Sequence, residues 1–238
     1  MPTALVTGGG VRIGRAICLA LGRAGYDVVV HANRSVREAE EVVREVEALG
    51  REARVAEADL AAPEGPRSLA GRLDGLDLLV NNAAAYEHAA FREVSPERLD
   101  RMLAVNVRAP FLLTQAVLPL LEASGRGAVV NVTDMAVSRT YTATHFFSHY
   151  LASKAALEAL TRALALELGP RVRVNAVAPG PVAIAAETTP AQRAEMLARL
   201  PLGREGSPAD VAEAVVYLAG AAYVTGQTIR VCGGLSVA

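Results

Sequence analysis

The chain has no tryptophan, only two cysteines and, among its 24 basic residues, a single lysine, Lys154. Cys18 and Cys232 lie near opposite ends in apolar surroundings, so a framework disulfide is not expected and buried thiols in a reducing compartment are. Two cysteines and four histidines without ligand-like clustering give no zinc pattern. A formal net charge of −1, with both signs mixed, leaves no electrostatic footprint for nucleic acid or an anionic membrane. No apolar run reads as membrane-spanning and no basic-then-apolar leader precedes the first strand-like segment. A cytosolic protein is therefore expected. Aromatic residues make up only 4% of the chain, so one placed at a sheet edge stands out. What remains, 238 residues of mixed polarity, suits one α/β domain spanning 1–238.

Short β-branched runs at 4–7, 27–31, 52–56, 76–80, 128–132, 172–177 and 228–231 alternate with amphipathic stretches at 13–24, 36–49, 63–72, 96–123, 150–168, 191–199 and 208–219. The alternation predicts a Rossmann-type doubly wound, seven-stranded parallel sheet with helices on both faces. Ligands of such sheets lie beyond the carboxyl ends of the strands. Two irregular stretches, 134–149 and 180–189, follow strands and overhang that edge. The second, extending towards residue 200, is expected to act as a substrate lid.

The first strand runs into Thr7-Gly8-Gly9-Gly10-Val11-Arg12-Ile13-Gly14. Glycines let backbone approach a pyrophosphate, and the following helix offers free N–H donors, so residues 8–14 are the expected dinucleotide turn. Arg12 stands where a further glycine is expected, and its cation can meet cofactor phosphates or reach the substrate pocket. Strand two ends in His31-Ala32-Asn33-Arg34-Ser35, with no acid between Asp27 and Glu38 to hold a ribose 2′-hydroxyl. Arg34, with Ser35 beside it at the start of the next helix, reads as a phosphate site instead, which points to NADPH; Asn33 is a further expected cofactor contact, while His31 reads as either packed or functional. Asp59-Leu60 follows strand three, within reach of an adenine amino group. Asn81-Asn82-Ala83-Ala84 follows strand four, where small residues allow close approach and the Asn side chains can tie strands together. Tyr86 stands beyond them as a ring that can stack on a planar substrate.

Asn106 breaks an apolar helical face, and Pro110 leaves its carbonyl without a helical partner. That predicts either a kink or a water-holding proton relay. Tyr150 and Lys154 are one helical turn apart, and an ammonium there favours the tyrosinate, a general acid or base near neutrality. A chain that otherwise uses arginine has kept its one lysine at this place, where a compact ammonium and a guanidinium differ chemically.

Together these segments, with Arg173-Val174-Asn175, Pro179-Gly180 and the tail 225–231, resemble the short-chain dehydrogenase/reductase family over essentially the whole chain. The resemblance implies hydride transfer from a nicotinamide, with Tyr150 as proton donor, Lys154 on the nicotinamide ribose and Asn106 in a water relay. It also implies cofactor contacts at Asn82, Ala83, Ala84, Leu60, Pro179, Gly180 and Val182. Dimers or tetramers through the helices holding Asn106 and Tyr150 are a further implication. The family's active-site serine is replaced by Asp134. An ionised carboxylate repels a developing ketone oxyanion, whereas a carboxylic acid suits C=N reduction, in which nitrogen must be protonated. Asp134, Arg12 and the His31/Arg34/Ser35 set resemble the pteridine reductase branch, in which Tyr86 stacks on the pterin. The expected substrate is thus a dihydropterin or dihydrofolate-type molecule, held by Arg12, Tyr86, Asp134 and Tyr150. The rivals are a ketone reductase using Thr133 or Ser138 and a non-catalytic NADP-binding regulator. Cys232, in place of a common acidic residue, reads as a neutral packing change.

Overall fold

Strands β1 (Thr3–Val6), β2 (Asp27–Ala32), β3 (Ala53–Glu57), β4 (Leu78–Asn81), β5 (Ala128–Val132), β6 (Arg173–Pro179) and β7 (Thr228–Val231) pair in parallel in the computed structural model. It describes residues 1–139, 147–182, 184 and 188–238. The sheet order is β3-β2-β1-β4-β5-β6-β7. Chain order runs outwards from β1 one way and from β4 the other, so a crevice opens at the carboxyl ends of these two strands. The seven strands expected from the sequence are all present, within a residue or two at their ends.

Both faces of the central strands are covered, which is why β1, β4 and β5 read as nearly unbroken apolar runs, while the edge strands β3 and β7 are partly exposed. Leu5, Val29, Leu79 and Val129 point into the layer of Leu69, Leu113, Val117 and Val174. Their neighbours Val6, Val28, Val30, Val80 and Val130 point the other way, among Ile17, Leu21, Val42, Val211 and Val215. This is the two-residue period of a strand, filling two cores. Truncating a fully buried side chain such as Leu79 costs about 2–5 kcal/mol.

The helices are α1 (Arg12–Arg23), α2 (Val36–Glu47), α3 (Gly65–Ala70), α4 (Pro96–Leu103), α5 (Ala109–Ala123), α6 (Ser148–Leu168), α7 (Pro190–Ala198) and α8 (Pro208–Gly220). The expected helix over 96–123 is continuous but carries a π turn at Ala104–Arg108, where the Ala109 N–H reaches back to the Ala104 carbonyl. Pro110, in the first turn of α5, cannot donate to the Asn106 carbonyl, and the wider turn accommodates that loss. Contrary to the expectation that no apolar run reaches membrane-spanning length, one helix does so. The helix Pro96–Ala123 is long and apolar enough, by length and composition, to cross a membrane. In the fold it is a layer helix packed on α3 and α6, with Asn106 buried at its middle.

Candidate active site

The glycine-rich turn between β1 and α1 is shaped by contacts that only glycine permits. Gly8 has φ 61°, and a Cβ on Gly14 would stand 2.0 Å from the Gly8 carbonyl oxygen. A Cβ on Gly10 would lie 3.0 Å from the Ala39 nitrogen on α2. Arg12 has φ 50°, the left-handed region, which explains why a glycine is expected there and costs roughly 1–2 kcal/mol for arginine. Val11 caps α1 with no side-chain hydrogen bond, and no acid occupies the first turn, so the helix N-terminus keeps its donors. Ile13 is half-buried against the adjoining core.

The turn is fastened from β4. Thr7 Oγ1 accepts from the Asn82 and Ala83 amides at 2.9 and 3.0 Å. Asn82 Nδ2 donates to the carbonyls of Thr7 and Gly8 at 2.9 and 3.1 Å. The Asn82 amide nitrogen therefore shapes the turn, and Ala84 is exposed at the crevice. Asn81 does tie strands together: its Nδ2 donates to Asn131 Oδ1 on β5, and Asn131 donates on to Thr161 of α6, each at 2.9 Å.

After β2 the chain leaves Arg34 exposed, without an ion pair among the described residues. Ser35 caps α2 without a capping hydrogen bond from its side chain. A free guanidinium beside an unfilled helix N-terminus fits a phosphate. Asn33 instead donates to Asp59 Oδ1 at 3.1 Å, and Asp59 also accepts from the Ala61 amide at 2.9 Å, which closes the rim after β3. The Leu60 side chain is buried in the core, leaving only its backbone to a ligand. These features together fit a dinucleotide carrying an extra phosphate.

Across the crevice, α6 presents Tyr150 and Lys154, both buried. Lys154 Nζ donates to the Val132 carbonyl at 2.8 Å and stands 5.8 Å from the Tyr150 ring centre. Burial pulls the ammonium pKa down to about 8, against the opposing charge of Asp134. Asp134 follows β5, where Oδ1 accepts from the Ala136 amide at 2.8 Å and Oδ2 accepts from the Tyr150 hydroxyl at 3.1 Å. Burial raises the Asp134 pKa, while these two hydrogen bonds and Lys154 oppose the rise. The hydroxyls that could stand in for the missing serine are engaged elsewhere. Thr133 Oγ1 donates to the Val177 carbonyl at 3.3 Å. Ser138 donates to the Met135 carbonyl at 2.8 Å and accepts from Arg230 Nε at 2.9 Å.

Asn106 sits inside the π turn. Its Oδ1 accepts from the Ala85 amide at 2.7 Å, and its Nδ2 donates to the Ala85 carbonyl at 3.0 Å and to Ser153 Oγ at 2.9 Å. Ser153 in turn donates to the Tyr150 carbonyl at 2.6 Å. Asn106 thus locks the loop carrying Tyr86 to the helix carrying Tyr150.

Tyr86 is 64% exposed, yet its ring stacks on Phe147 at 4.8 Å and meets Tyr150 edge-on at 4.9 Å. Its phenol pKa is raised, first by partial burial and then by Asp134, with Arg12 opposing. His88 meets Phe147 edge-on at 5.1 Å. Phe147 and Ser153 escape a reading by motif. Phe147 is one of only four phenylalanines and immediately precedes the Tyr150 helix, the signal by which it stands out in retrospect.

At the far side, Gly180 is required by packing, since a Cβ there would lie 2.6 Å from Cys232 Cβ. Pro179 ends β6, and Val182 is bridged to Gly206. Glu205 accepts from the Ile184 amide and pairs with Arg193 of α7, which pins the expected lid at its base. Its residues 183 and 185–187, and 140–146 of the long loop before Tyr150, lie outside the described residues. Both cysteines are free and buried; burial pushes the Cys18 thiol well up, making it unreactive. Among the described residues no group of His, Cys, Asp or Glu is arranged to hold a metal.

The family model described as enoyl-(acyl carrier protein) reductase matches residues 10–236. The short-chain dehydrogenase/reductase FrzI of a Cladobotryum species is 37% identical, over 98% of this chain and 95% of that protein. The crystal structure of the angucycline C-6 ketoreductase LanV with bound NADP superposes with a TM-score of 0.92 at 34% identity, covering 100% of this chain and 96% of that one. FolM alternative dihydrofolate reductase 1 from Brucella suis, in complex with NADP, gives 0.91 and 34%, covering 100% and 96%. The chain belongs to the short-chain dehydrogenase/reductase family and is an oxidoreductase.

Proposed function

We propose that the protein is an NADPH-dependent reductase of a pteridine-type C=N bond, of the dihydropterin or dihydrofolate class. The observation that carries this reading is the hydrogen bond between Tyr150 and Asp134, at a position where neither Thr133 nor Ser138 offers a hydroxyl. Bound NADPH supplies the hydride that adds to the ring carbon. The chain's part is the proton: the Tyr150 hydroxyl delivers it to the substrate nitrogen, or Asp134 does, the two being joined by one hydrogen bond. A carboxyl whose pKa is raised by burial keeps its proton to higher pH, which suits it to that task. Lys154 holds the nicotinamide ribose and keeps positive charge beside the phenol. Gly8, Gly10, the α1 N-terminus, Arg34 and Ser35 hold the phosphates. Tyr86 and Arg12 hold the substrate at the mouth they share with Asp134.

The likeness to a FolM dihydrofolate reductase favours this reading, while that to LanV, a ketoreductase, favours reduction of a ketone. The two separate in one assay. NADPH oxidation is measured with dihydropterin and dihydrofolate beside a panel of β-keto esters, for wild type and Asp134→Ser. Turnover confined to the pterins, and lost in the variant, is the expected result. Turnover confined to ketones, spared or improved in the variant, replaces the proposal by a carbonyl reductase.

The same reading includes a homo-oligomer, tetramer or dimer. Leu99, Leu103 and Phe111 on the 96–123 helix and Leu166 on α6 are exposed apolar side chains on the two helices that would pair. Light scattering behind size exclusion that returns a monomer would remove this element alone.

A further inference from the structure

We propose that His31 is a positioning residue for the dinucleotide, holding the glycine-rich turn in its binding shape only while its imidazole is neutral. This rests on the reading of that turn as the cofactor site.

His31 is buried near the end of β2, and it grips two consecutive amides of the turn. Its Nδ1 accepts from the Gly8 N–H at 3.1 Å, and its carbonyl accepts from the Gly9 N–H at 2.9 Å. On the other side, Nε2 lies 3.1 Å from the Ala58 carbonyl oxygen, just past β3. A backbone amide can only donate and a carbonyl can only accept. The ring is therefore the neutral tautomer with its proton on Nε2. One side chain thus fixes the distance between the ends of β1, β2 and β3.

A second proton on Nδ1 would face the Gly8 N–H, donor against donor. Either the ring turns and leaves two buried groups unpaired, or Gly8 moves. Gly8 has little room: its carbonyl accepts from Asn82, and it sits against Gly14 at the start of α1. Any shift reaches the amides that meet the phosphates. Burial lowers the His31 pKa, opposed by the Ala58 hydrogen bond and by Asp59. Of the charged groups on the surrounding elements, Arg12 lies on the turn and Arg34, Arg37 and Glu38 at the start of α2, with Glu57 and Asp59 at the end of β3. Asp59 is the one whose charge favours the protonated ring, and its Oδ1 already accepts from Asn33 and the Ala61 amide.

The test is NADPH affinity, by fluorescence titration from pH 5 to pH 8, for wild type, His31→Asn and His31→Gln. Asparagine places an acceptor where Nδ1 was; glutamine reaches only the Nε2 position. At pH 8 the Asn variant should bind within about threefold of wild type, and the Gln variant ~10-fold or more weaker, because the Gly8 amide is left unpaired. The cofactor's own phosphate titrates near pH ~6, so the pH readout is the difference between proteins. Wild type should lose affinity on acidification more steeply than His31→Asn. By linkage, NADPH must also lower the His31 pKa in the wild-type protein, which imidazole NMR reads without any variant. Parallel pH profiles for wild type and Asn, or a His31 pKa unmoved by NADPH, overturn the proposal. Failure of wild type to bind NADPH at any pH would instead overturn the cofactor reading beneath it.

Discussion

The two banks of the crevice are built from different materials. On the β1–β3 side, the surface offered to a ligand is mostly backbone, a glycine turn and the N-termini of α1 and α2, neither capped by a side chain, with the exposed Arg34 guanidinium beside them. Away from this bank, α4 is capped by Ser95 and α8 by a full capping box between Ser207 and Asp210. α6, on the opposite bank, also begins without a side-chain cap, so the banks differ in their glycine turn and their side chains rather than in helix capping. On the β4–β7 side, the offer is side chains, with Asp134, Tyr150 and Lys154 joined at hydrogen-bond or contact range and with two of their pKa values displaced by burial. The first bank suits holding a charged ligand that is the same in many reactions. The second suits moving a proton.

Substitutions on the two banks should therefore fail in different ways. Tyr150→Phe removes the proton donor and little else, so turnover should fall ~100- to 10,000-fold while the dissociation constant for NADPH stays within error. A comparable loss of NADPH binding would break the comparison at its centre. Arg34→Ala does the reverse. Losing a charge-assisted hydrogen bond to phosphate should raise KM for NADPH ~10- to 100-fold, leave NADH unaffected and leave kcat at saturation unchanged. Equal effects on both cofactors would take Arg34 out of the site.

Lys154 sharpens the comparison through stability. Its pKa is lowered from 10.5 to about 8, so between these values the unfolded chain holds a proton that the folded protein has released. Stability therefore rises with pH across that window, and below pH 8 the full penalty for burying the ammonium is present, on the order of 3 kcal/mol. Lys154→Met should raise the thermal midpoint at pH 7, narrow that gain towards pH 10 and abolish turnover. In wild type, kcat/KM should fall as pH rises through about 8. A destabilised Met variant would mean that the Lys154 bond to Val132 outweighs the burial cost.

The same division explains what the sequence revealed. The sheet was legible because parallel strands buried on both faces leave unbroken valine and leucine runs, and the glycine turn because its backbone demands leave glycines. Tyr150, Lys154 and Asp134 were legible by spacing and by departure from a family pattern. His31 remained open between packed and functional, because its two hydrogen bonds join residues 23 and 27 positions away. Asn106 showed as a break in an apolar face and Pro110 announced an irregular turn there, but the clasp of Asn106 on Ala85 and Ser153 joins residues 21 and 47 positions away and left no local signal. Asn82 was read both as a cofactor contact and as a tie between strands, and its amide nitrogen does join the end of β4 to the turn after β1.

The smallest effect belongs to the aromatic mouth, where the banks meet. Phe147 covers one face of Tyr86 in a stacked pair, an arrangement worth about 0.5–1.5 kcal/mol beyond its burial. A planar substrate that takes that face must first displace Phe147, so the pair opposes binding by that amount. Phe147→Ala should then lower KM for a dihydropterin by about two- to tenfold, whereas Tyr86→Ala should raise it, with kcat little changed in either. The opposite signs are the point of the experiment. If both variants raise KM, Phe147 is a wall of the pocket and not its occupant, and the substrate lies on the face of Tyr86 turned away from it. If neither moves KM, the substrate does not stack at this mouth, and the case for a planar pteridine loses its aromatic support while the proton-handling pair of Asp134 and Tyr150 keeps its own.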